Sequence, residues 1–428
     1  MNAHTVQRAG TRVSAGTWSA PVPSSFVEFG FYAYMFYTLL GGLFGITGGN
    51  VAPAILVGLV IFCLRDLGFL KIHVFRVVAF PLGCAISYMF IQFVFFDDLL
   101  VARPFLIWML LLFLIQSLVL RENFIRRFIL VMFVIGLIAL PYISFRDSAT
   151  SGGMMARAGL DKAIGFGGVN AMGEWYGFCA LGFVVQAVTT RKNTLRILYS
   201  LIAVGCLYVV TLTVSRGAVL AVAVGGVVAG RHLLKDGFFP TLLVLGIGWG
   251  IMEMGVFERS VQSYSARGTE ETGRLAVWPR IIDSFLGSPL IGVGHENTGA
   301  VPDGRHKMVK AHNSFLFLAQ SSGIVPLALF IAYWLRSGRA ALRGGDGKSL
   351  DAPFCAPLLI YTFVTVNLSG LTFMQVWAIV SLAIPMAVEV RRALSEGTGR
   401  RYVRDGESFL QSGPHARMGI QGEDSRIP

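Results

Sequence analysis

Arg216 is the first residue whose position suggests chemistry, because it stands between two long apolar runs, in the stretch TLTVSRGA at residues 211–218. An arginine there can extend its charged end to lipid headgroups and have no other role. It can also bind a phosphate group, because the planar guanidinium matches phosphate oxygens with two parallel hydrogen bonds. Gly217 would allow the backbone to approach such a ligand closely. The sequence alone leaves both interpretations open.

A second cationic group lies in the stretch TGRLAVWPR at residues 272–280. Arg274 and Trp278 are four residues apart, so they would share one face of a helix. A cation–π contact or ordinary packing would explain that pair without any ligand. Arg280 adds a further positive charge. The stretch SPLIGVG at residues 288–294 follows and is rich in turn-forming residues, which alone indicates little.

His312 stands in the stretch AHNSF, at residues 311–315, where a long apolar segment begins. An imidazole has an unperturbed pKa of about 6.5, and nearby arginines and the dipole at a helix start would favour its neutral form. A neutral histidine at a membrane surface is a suitable general base. It could equally be a residue that only hydrogen-bonds at the interface. His295, which precedes Glu296, and His306 compete with it for the same role.

Glu174, in the stretch NAMGEW at residues 170–175, is a further candidate near one end of an apolar segment. A carboxylate inside a span is costly and functional by default, but close to the interface it could be solvated or pair with a nearby arginine. The sequence contains no metal-binding constellation, no Ser-His-Asp motif and no phosphate-cradling loop with a lysine. We therefore expect neither a metal nor a bound cofactor.

The composition decides what kind of element must position these residues. Hydrophobic residues make up 54% of the 428, and charged residues only 14%, against about 25% in a typical soluble domain. The net charge of +12 raises the question of nucleic acid, but the chain has no nucleic-acid-binding module. Basic cytoplasmic loops of a membrane protein explain the charge more simply.

Apolar runs long enough to cross a bilayer, about 20 residues each, occupy nearly the whole chain. We predict an all-α polytopic membrane protein, with about twelve transmembrane helices in one transmembrane domain at residues 26–390. The predicted segments are 26–46, 50–64, 77–96, 99–120, 128–143, 168–189, 197–214, 217–230, 238–257, 312–335, 354–367 and 374–390. Residues 1–25 and 391–428 are predicted to be cytoplasmic tails, the second of them disordered.

The distribution of lysine and arginine predicts the orientation. Every loop that lies inside when the N-terminus is cytoplasmic carries basic residues, whereas the short outer connections at 47–49, 97–98 and 368–373 carry none. This is the positive-inside pattern, with both termini in the cytoplasm. The long loop at 258–311, between the ninth and tenth helices, is then periplasmic, although it holds seven arginines and lysines. Cations on that side suggest an anionic ligand, although long loops also translocate regardless of charge.

Five motifs in order resemble those of the O-antigen ligase and polymerase family, which includes lipopolysaccharide O-antigen ligases and exopolysaccharide polymerases. They are TVSRGA with Arg216, GRLAVW with Arg274, SPLIGVG, AHNSF with His312, and SGIVPL at residues 322–327. All five lie on the predicted outer side, within residues 200–335. The sequence departs from the family pattern at His295-Glu296, after the glycine motif, and at Gln320, where the family often has an acidic residue.

The resemblance implies glycosyl transfer from a polyprenyl-diphosphate-linked glycan to an acceptor sugar hydroxyl. By resemblance, Arg216 and Arg274 contact the donor diphosphate, Arg280 is a less secure addition to that contact, and His312 activates the acceptor hydroxyl. Fixed arginines would neutralise the leaving diphosphate, so we expect a metal-independent glycosyltransferase. The resemblance places it at the periplasmic face of the bacterial inner membrane.

The finer activity stays open at this point. The TGRxxxW form favours an exopolysaccharide or O-antigen polymerase, and a ligase that joins glycan to lipid A core is the alternative. A lipid-linked oligosaccharide flippase would also suit many helices, but the sequence shows no repeat symmetry and its ionisable residues gather at one face. The expected partners are the lipid-linked donor, a glycan or lipid A core acceptor, membrane lipids, and other polysaccharide assembly and export proteins, with no nucleic acid.

Overall fold

The computed structural model describes residues 23–45, 51–68, 70–98, 102–150, 153–160, 165, 168–236, 258, 262, 274–301, 308–343, 351–369 and 375–392. Within these residues the chain forms thirteen α-helices and one β-hairpin. The helices are α1 (Ser25–Leu40), α2 (Val51–Leu67), α3 (Leu70–Phe96), α4 (Ala102–Leu118), α5 (Phe124–Ala139), α6 (Val169–Thr189), α7 (Asn193–Leu212), α8 (Arg216–Asp236), α9 (Arg274–Gly287), α10 (Ser314–Ser322), α11 (Ile324–Arg343), α12 (Ala352–Ser369) and α13 (376–392).

Ten of the twelve predicted membrane segments each coincide with one helix. The tenth prediction, one helix over 312–335, is wrong, because the chain forms α10 and α11, which are separated at Gly323. Gly323 has a φ of 78°, a left-handed conformation that interrupts the helix. The ninth segment (238–257), most of the long loop, His306, and the tails before residue 23 and after residue 392 lie outside the described residues.

Residues 143–160 form a β-hairpin, and all but the first of them lie in the connection between the predicted segments 128–143 and 168–189. Strand β1 (Ile143–Thr150) pairs antiparallel with β2 (Gly153–Leu160), so that Ile143 stands opposite Leu160 and Thr150 opposite Gly153. The side chains of Ala158 and Leu160 are buried. The hairpin therefore packs on the helices rather than standing free.

The outward surfaces of several helices are apolar. Among the described residues, three helices are long and apolar enough to cross a membrane: Lys71–Phe96, Phe124–Tyr142 and Asn193–Leu212. Large side chains such as Phe90 and Phe93 are exposed on α3, a distribution that suits lipid and not water. The protein is a helical membrane protein.

Two helices form the centre of the bundle. Nearly every side chain of α6 from Met172 to Ala187 is buried, and so is nearly every side chain of α13. Trp175 of α6 meets Trp377 of α13 edge to face, with ring centroids 5.7 Å apart. Helices of this kind are apolar all round because they have no face toward a polar solvent.

Arginines gather at one end of the bundle, where they pair with the few acidic residues. Arg121 and Arg127 both pair with Glu28 at the start of α1, each at 2.6 Å. Arg391, near the end of α13, pairs at 2.6 Å with Asp351, which directly precedes α12, and also donates to the backbone carbonyl of Arg121. We call this the basic end, defined by these five residues. The start of α1 and the end of α13 meet there, and its cytoplasmic orientation stays a prediction.

Candidate functional site

Gly177 of α6 marks a level at which three helices meet. A Cβ there would lie 3.0 Å from Val222 Cγ2 of α8 and 2.7 Å from the Tyr361 hydroxyl of α12. Elsewhere along the same helices, Gly225 of α8 stands beside Pro357 of α12, with 3.2 Å between an added Cβ and the proline carbonyl oxygen. Residue numbers rise along α8 as they fall along α12, so the two helices are antiparallel.

This geometry brings Arg216 and Asn367 to one end of the bundle. Arg216 lies six residues before Val222, and Asn367 lies six residues after Tyr361. At 1.5 Å per residue, each is about 9 Å along its helix from the level at which Val222 and Tyr361 meet. This end is opposite the basic end, where α12 begins. We call it the site end, defined by Arg216 and Asn367.

Asn313 fixes the corner of the chain that carries His312. Its side-chain oxygen caps α10 by accepting hydrogen bonds from the backbone nitrogens of Phe315 (2.9 Å) and Leu316 (3.1 Å). Its side-chain nitrogen donates to Asn367 Oδ1 at 3.0 Å. His312 is half-buried directly before this cap, with a φ of 51°, which residues other than glycine rarely adopt. The AHN corner (residues 311–313) therefore lies at the site end.

Helix α9 is tied to the AHN corner through Trp278. Its indole nitrogen donates to the backbone carbonyl of Ala311 at 3.0 Å, and Val277 and Ile281 form a small buried cluster with Ala311. Arg274 is the first residue of α9, one turn before Trp278 and thus about 6 Å away along the helix axis. The fold brings the start of this helix near the predicted base.

Arg280 contacts the loop backbone. It is exposed, and its guanidinium donates to the backbone carbonyl of Val301. That bond joins α9 to the strand-like bridge between Ala300 and Val309. The contact supports the fold of the loop, and a role of Arg280 toward diphosphate stays a prediction.

The turn before Arg216 packs closely against α6. A Cβ at Gly173 would lie 2.8 Å from Thr213 Oγ1 and 3.3 Å from Ser215 Cβ, so the absence of a side chain permits this contact. Arg216 is half-buried and begins α8. A helix start attracts anions through its free N–H groups and its dipole. The guanidinium and the helix start therefore both favour a negative charge in this region.

Glu174 directly follows Gly173, which packs against the turn before Arg216. It is buried, with 3% of its surface exposed, and its backbone carbonyl accepts a hydrogen bond from the Tyr361 hydroxyl at 2.6 Å. Burial excludes the interpretation of Glu174 as a solvated interfacial residue. A buried carboxylate at this position suits ion pairing or a functional role near Arg216.

The SPLIGVG and SGIVPL motifs pack against each other. The backbone nitrogen of Ile324 donates to the carbonyl of Pro289 at 2.8 Å, and that of Val293 donates to the carbonyl of Gln320 at 2.8 Å. Both contacts join backbone to backbone. The two segments therefore approach each other more closely than side chains between them would allow.

Glycines at two motif positions make this approach possible. Gly292 has a φ of 69° and Gly323 a φ of 78°. A Cβ on Gly292 would lie 2.4 Å from the carbonyl oxygen of Gln320, and one on Gly323 would lie 2.3 Å from that of Leu290. Both positions require glycine for the conformation and for the space. These motif residues therefore build the region around the site.

The side chain of Gln320 holds the end of the glycine-rich segment. Its Oε1 accepts from the backbone nitrogen of Gly299 at 2.8 Å, and its Nε2 donates to the carbonyl of the same residue at 2.9 Å. Nε2 also lies 3.3 Å from Ser284 Oγ of α9. A carboxylate could accept the first bond but could not donate the second. This explains why an amide suits the position at which the family often has an acid.

The competing histidine, His295, is bound at the junction of α3 and α10. Its Nδ1 lies 2.8 Å from the Tyr88 hydroxyl, and its backbone nitrogen donates to Gln92 Oε1 at 2.9 Å. Its ring meets Phe317 edge to face, with centroids 5.4 Å apart. Burial lowers the pKa of His295 below its ordinary value, and the nearby charge of Lys310 lowers it further. These contacts anchor the loop to α3.

An open groove of about 590 Å³ runs along α9, α10, α11 and α12. Most of its lining is apolar, as at Ile282, Leu316 and Phe363, and it includes the polar side chains of Asn313 and Asn367. The groove therefore connects an apolar surface to the site end.

Two asparagines that assemble the site end are absent from the candidates predicted from sequence. Asn313 stands within the AHNSF motif, so a signal for it was present. Asn367 lies within an apolar run, and no local pattern shows that its partner is 54 positions away. No group of three or more His, Cys, Asp or Glu side chains that could hold a metal ion occurs in the part of the chain that the structure describes.

A family model described as O-antigen ligase matches residues 172–331. The match begins in α6 and ends in α11, so it includes Glu174, Arg216, Arg274 and His312. Among curated proteins there is no match to the chain. The family match confirms the resemblance that the five motifs indicate.

Proposed function

We propose that this protein, a membrane glycosyltransferase of the O-antigen ligase and polymerase family, is an exopolysaccharide or O-antigen polymerase that uses a polyprenyl-diphosphate-linked glycan as its donor. The observation that carries the proposal is the hydrogen bond from Asn313 to Asn367. It brings His312 to the end of the bundle at which Arg216 begins α8. A base and a cation near one another are what a transfer that expels a diphosphate requires.

In the proposed reaction, the acceptor hydroxyl oxygen forms a bond to the anomeric carbon of the donor glycan. The bond from that carbon to the diphosphate oxygen breaks, and the diphosphate leaves with the electron pair. His312 takes the proton of the attacking hydroxyl. Arg216, Arg274 and the start of α8 stabilise the charge that builds on the leaving group. A single displacement of this kind inverts the configuration at the anomeric carbon.

The groove beside the site end suits the polyprenyl chain of the donor. Its polar part, at Asn313 and Asn367, adjoins the AHN corner, and its apolar lining extends over four helices. A diphosphate bound near Arg216 would leave the attached hydrocarbon against apolar side chains and lipid, which is favourable relative to water.

The proposal includes a placement in the bacterial inner membrane, with about twelve spans, both termini in the cytoplasm and the loop at 258–311 in the periplasm. The separation of the basic end from the site end supports this placement, because basic residues collect on the cytoplasmic side. Reporter fusions within 258–311 test it. Activity of a cytoplasmic reporter in that loop would overturn the orientation.

The central experiment measures glycan transfer by the purified protein in proteoliposomes that contain a polyprenyl-diphosphate-linked oligosaccharide. We expect His312→Ala to lower the transfer rate about 10²–10⁴-fold, as for loss of a general base. Arg216→Ala and Arg274→Ala should each lower it about 10²–10³-fold, as for loss of a fixed charge-stabilising donor. Arg339→Ala is the matched control, because Arg339 is an exposed arginine on α11 away from the site end, and it should keep wild-type activity.

The products distinguish the proposal from its alternatives. A ladder of repeating glycans on the lipid carrier supports the polymerase, and a single transfer to a lipid A core acceptor supports the ligase. Movement of the lipid-linked oligosaccharide across the bilayer without a new glycosidic bond supports the flippase. Wild-type transfer by His312→Ala or Arg274→Ala, with melting temperatures like that of the wild type, would show that the proposed site is wrong.

A further inference from the structure

Arg157, on β2 of the hairpin, contacts the turn that precedes Arg216. It is half-buried, and its Nε donates to the backbone carbonyl of Thr213 at 3.1 Å. Its Nη2 donates to Asn170 Oδ1 at 3.2 Å. One guanidinium therefore links three elements: the hairpin, the first turn of α6, and the turn between α7 and α8.

The backbone carbonyl of Thr213 needs a hydrogen-bond donor from outside its own helix. It lies just past the end of α7, where the last carbonyls of a helix have no donor within the helix. The chain reverses there through Val214, which has a φ of 51°, and begins α8 at Arg216. A β-branched residue in the left-handed region is strained. Within the turn, the backbone nitrogen of Ser215 donates to Thr213 Oγ1 at 3.3 Å, and the bond from Arg157 supports the turn from outside.

The residues on both sides of the contact between Arg157 and Thr213 are well packed. Ala158, the neighbour of Arg157 on β2, is fully buried, and Leu160 is 3% exposed. Thr213 sits against α6 at Gly173, where an added methyl group would lie only 2.8 Å from its Oγ1. The guanidinium of Arg157 thus joins two well-packed surfaces. The position of the turn that it contacts also sets the position of the start of α8.

We infer that Arg157 is a positioning residue for Arg216: it holds the turn between α7 and α8 so that the Arg216 guanidinium meets the bound anion. The inference rests on the proposed function, in which that anion is the donor diphosphate. An arginine suits the role because its rigid fork bonds a backbone carbonyl and a side-chain amide at once. A lysine, with one flexible ammonium group, would not hold both in a fixed geometry.

The test is the binding of farnesyl diphosphate to the full-length protein in nanodiscs, which does not require catalysis. We expect Arg157→Gln to raise the Kd about tenfold, within the range of coupling between residues of one network. Arg216→Ala should remove most of the affinity. In the Arg216→Ala background, Arg157→Gln should change the Kd by about twofold or less, because its effect passes through Arg216. Arg157→Lys should fall between the wild type and Arg157→Gln.

Arg146 offers a matched control, because it is the register partner of Arg157 in the hairpin. Arg146→Gln removes the same charge from the opposite position of the ladder, and we expect it to bind farnesyl diphosphate like the wild type. A general effect of positive charge in the hairpin would instead weaken binding in Arg146→Gln as much as in Arg157→Gln. That outcome would overturn the inference.

Two other outcomes would also overturn it. Unchanged affinity in Arg157→Gln, even with a lower melting temperature, would show that Arg157 is merely structural. Equal effects of Arg157→Gln with and without Arg216 would show that it acts elsewhere. The proposed diphosphate site fails in a separate and recognisable way: wild-type affinity in the single variant Arg216→Ala would overturn both that site and the role of Arg157.

Discussion

The indole nitrogen of Trp278 donates a hydrogen bond to the backbone carbonyl of Ala311, 3.0 Å away and 33 positions along the chain. Arg274 begins the helix that carries Trp278, and His312 directly follows Ala311. One bond therefore joins the motif that supplies a predicted diphosphate ligand to the motif that supplies the predicted base. The motif tryptophan is a structural residue that links two parts of the candidate site.

Trp278→Phe should reveal how much this hydrogen bond contributes to stability and to glycan transfer. The substitution keeps a large ring against Val277 but leaves the carbonyl of Ala311 without its partner. We expect the free energy of unfolding to fall by about 1–2 kcal/mol. Glycan transfer should also fall, because α9 carries Arg274. The melting temperature and the transfer rate in proteoliposomes measure the two effects.

Trp334→Phe is the matched control for that experiment. The Trp334 indole nitrogen is buried and has no hydrogen-bond partner among the described residues. The control variant loses no hydrogen bond and should therefore keep nearly the stability and the transfer rate of the wild type. Losses of equal size in Trp278→Phe and Trp334→Phe would contradict the role assigned to Trp278.

Gly323 should not tolerate a side chain. In Gly323→Ala the new Cβ would lie 2.3 Å from the carbonyl oxygen of Leu290, at a φ of 78°. The SPLIGVG and SGIVPL motifs would then have to separate, and we expect a loss of about 1–3 kcal/mol in the free energy of unfolding. Gly338→Ala, within α11, has no heavy atom within 4 Å of the new Cβ and should stabilise the protein by about 0.5–1 kcal/mol. Melting shifts of the same sign would refute this packing.

Gln320→Glu should destabilise the protein near neutral pH. An ionised carboxylate would face the carbonyl of Gly299, to which Gln320 now donates at 2.9 Å, and it would be buried. We expect a loss of about 1–3 kcal/mol, the penalty for an unsatisfied buried group. The loss should shrink at acidic pH, where the protonated acid can donate. Ser284→Ala removes only the 3.3 Å contact and should have a small effect; an equal effect would assign the stability to Ser284 instead.

His295 should make the stability depend on pH. Its pKa in the folded protein is lowered, mainly by burial, so the unfolded chain takes up a proton at a higher pH than the folded protein does. The stabilising contribution of neutral His295 is therefore complete above a pH of about 6.5 and falls as the pH drops toward the lowered pKa. We expect a lower melting temperature at about pH 5.5 than at about pH 7.5.

His295→Asn isolates this contribution, because asparagine does not titrate and its side-chain oxygen can still accept a hydrogen bond from Tyr88. The wild type should lose more stability than the variant between the two pH values. An equal loss in both proteins would show that other groups cause the pH dependence.

The limits of several helices follow from local sequence. The segment predicted over 168–189 is α6 at Val169–Thr189, because a long apolar run between polar residues suffices to define it. The break at Gly323 could not be predicted in the same way, since a glycine in an apolar run is compatible with a helix. At the break the chain approaches Leu290 closely, a contact with a residue that lies far away in the sequence. The hairpin is not predicted from the sequence, because its two eight-residue strands carry mixed polar and apolar residues.

The sequence by itself determined that the chain is an apolar helical protein whose motifs resemble those of the O-antigen ligase family, and it marked Arg216, Arg274 and His312 as candidates, because composition and motif order are local properties. Only the tertiary structure decided that His312 shares the site end with Arg216 and that His295 is anchored to Tyr88. Those relationships depend on helix packing and on buried polar groups that find partners far away in the chain. No local pattern determines which distant partner a buried amide or hydroxyl will meet.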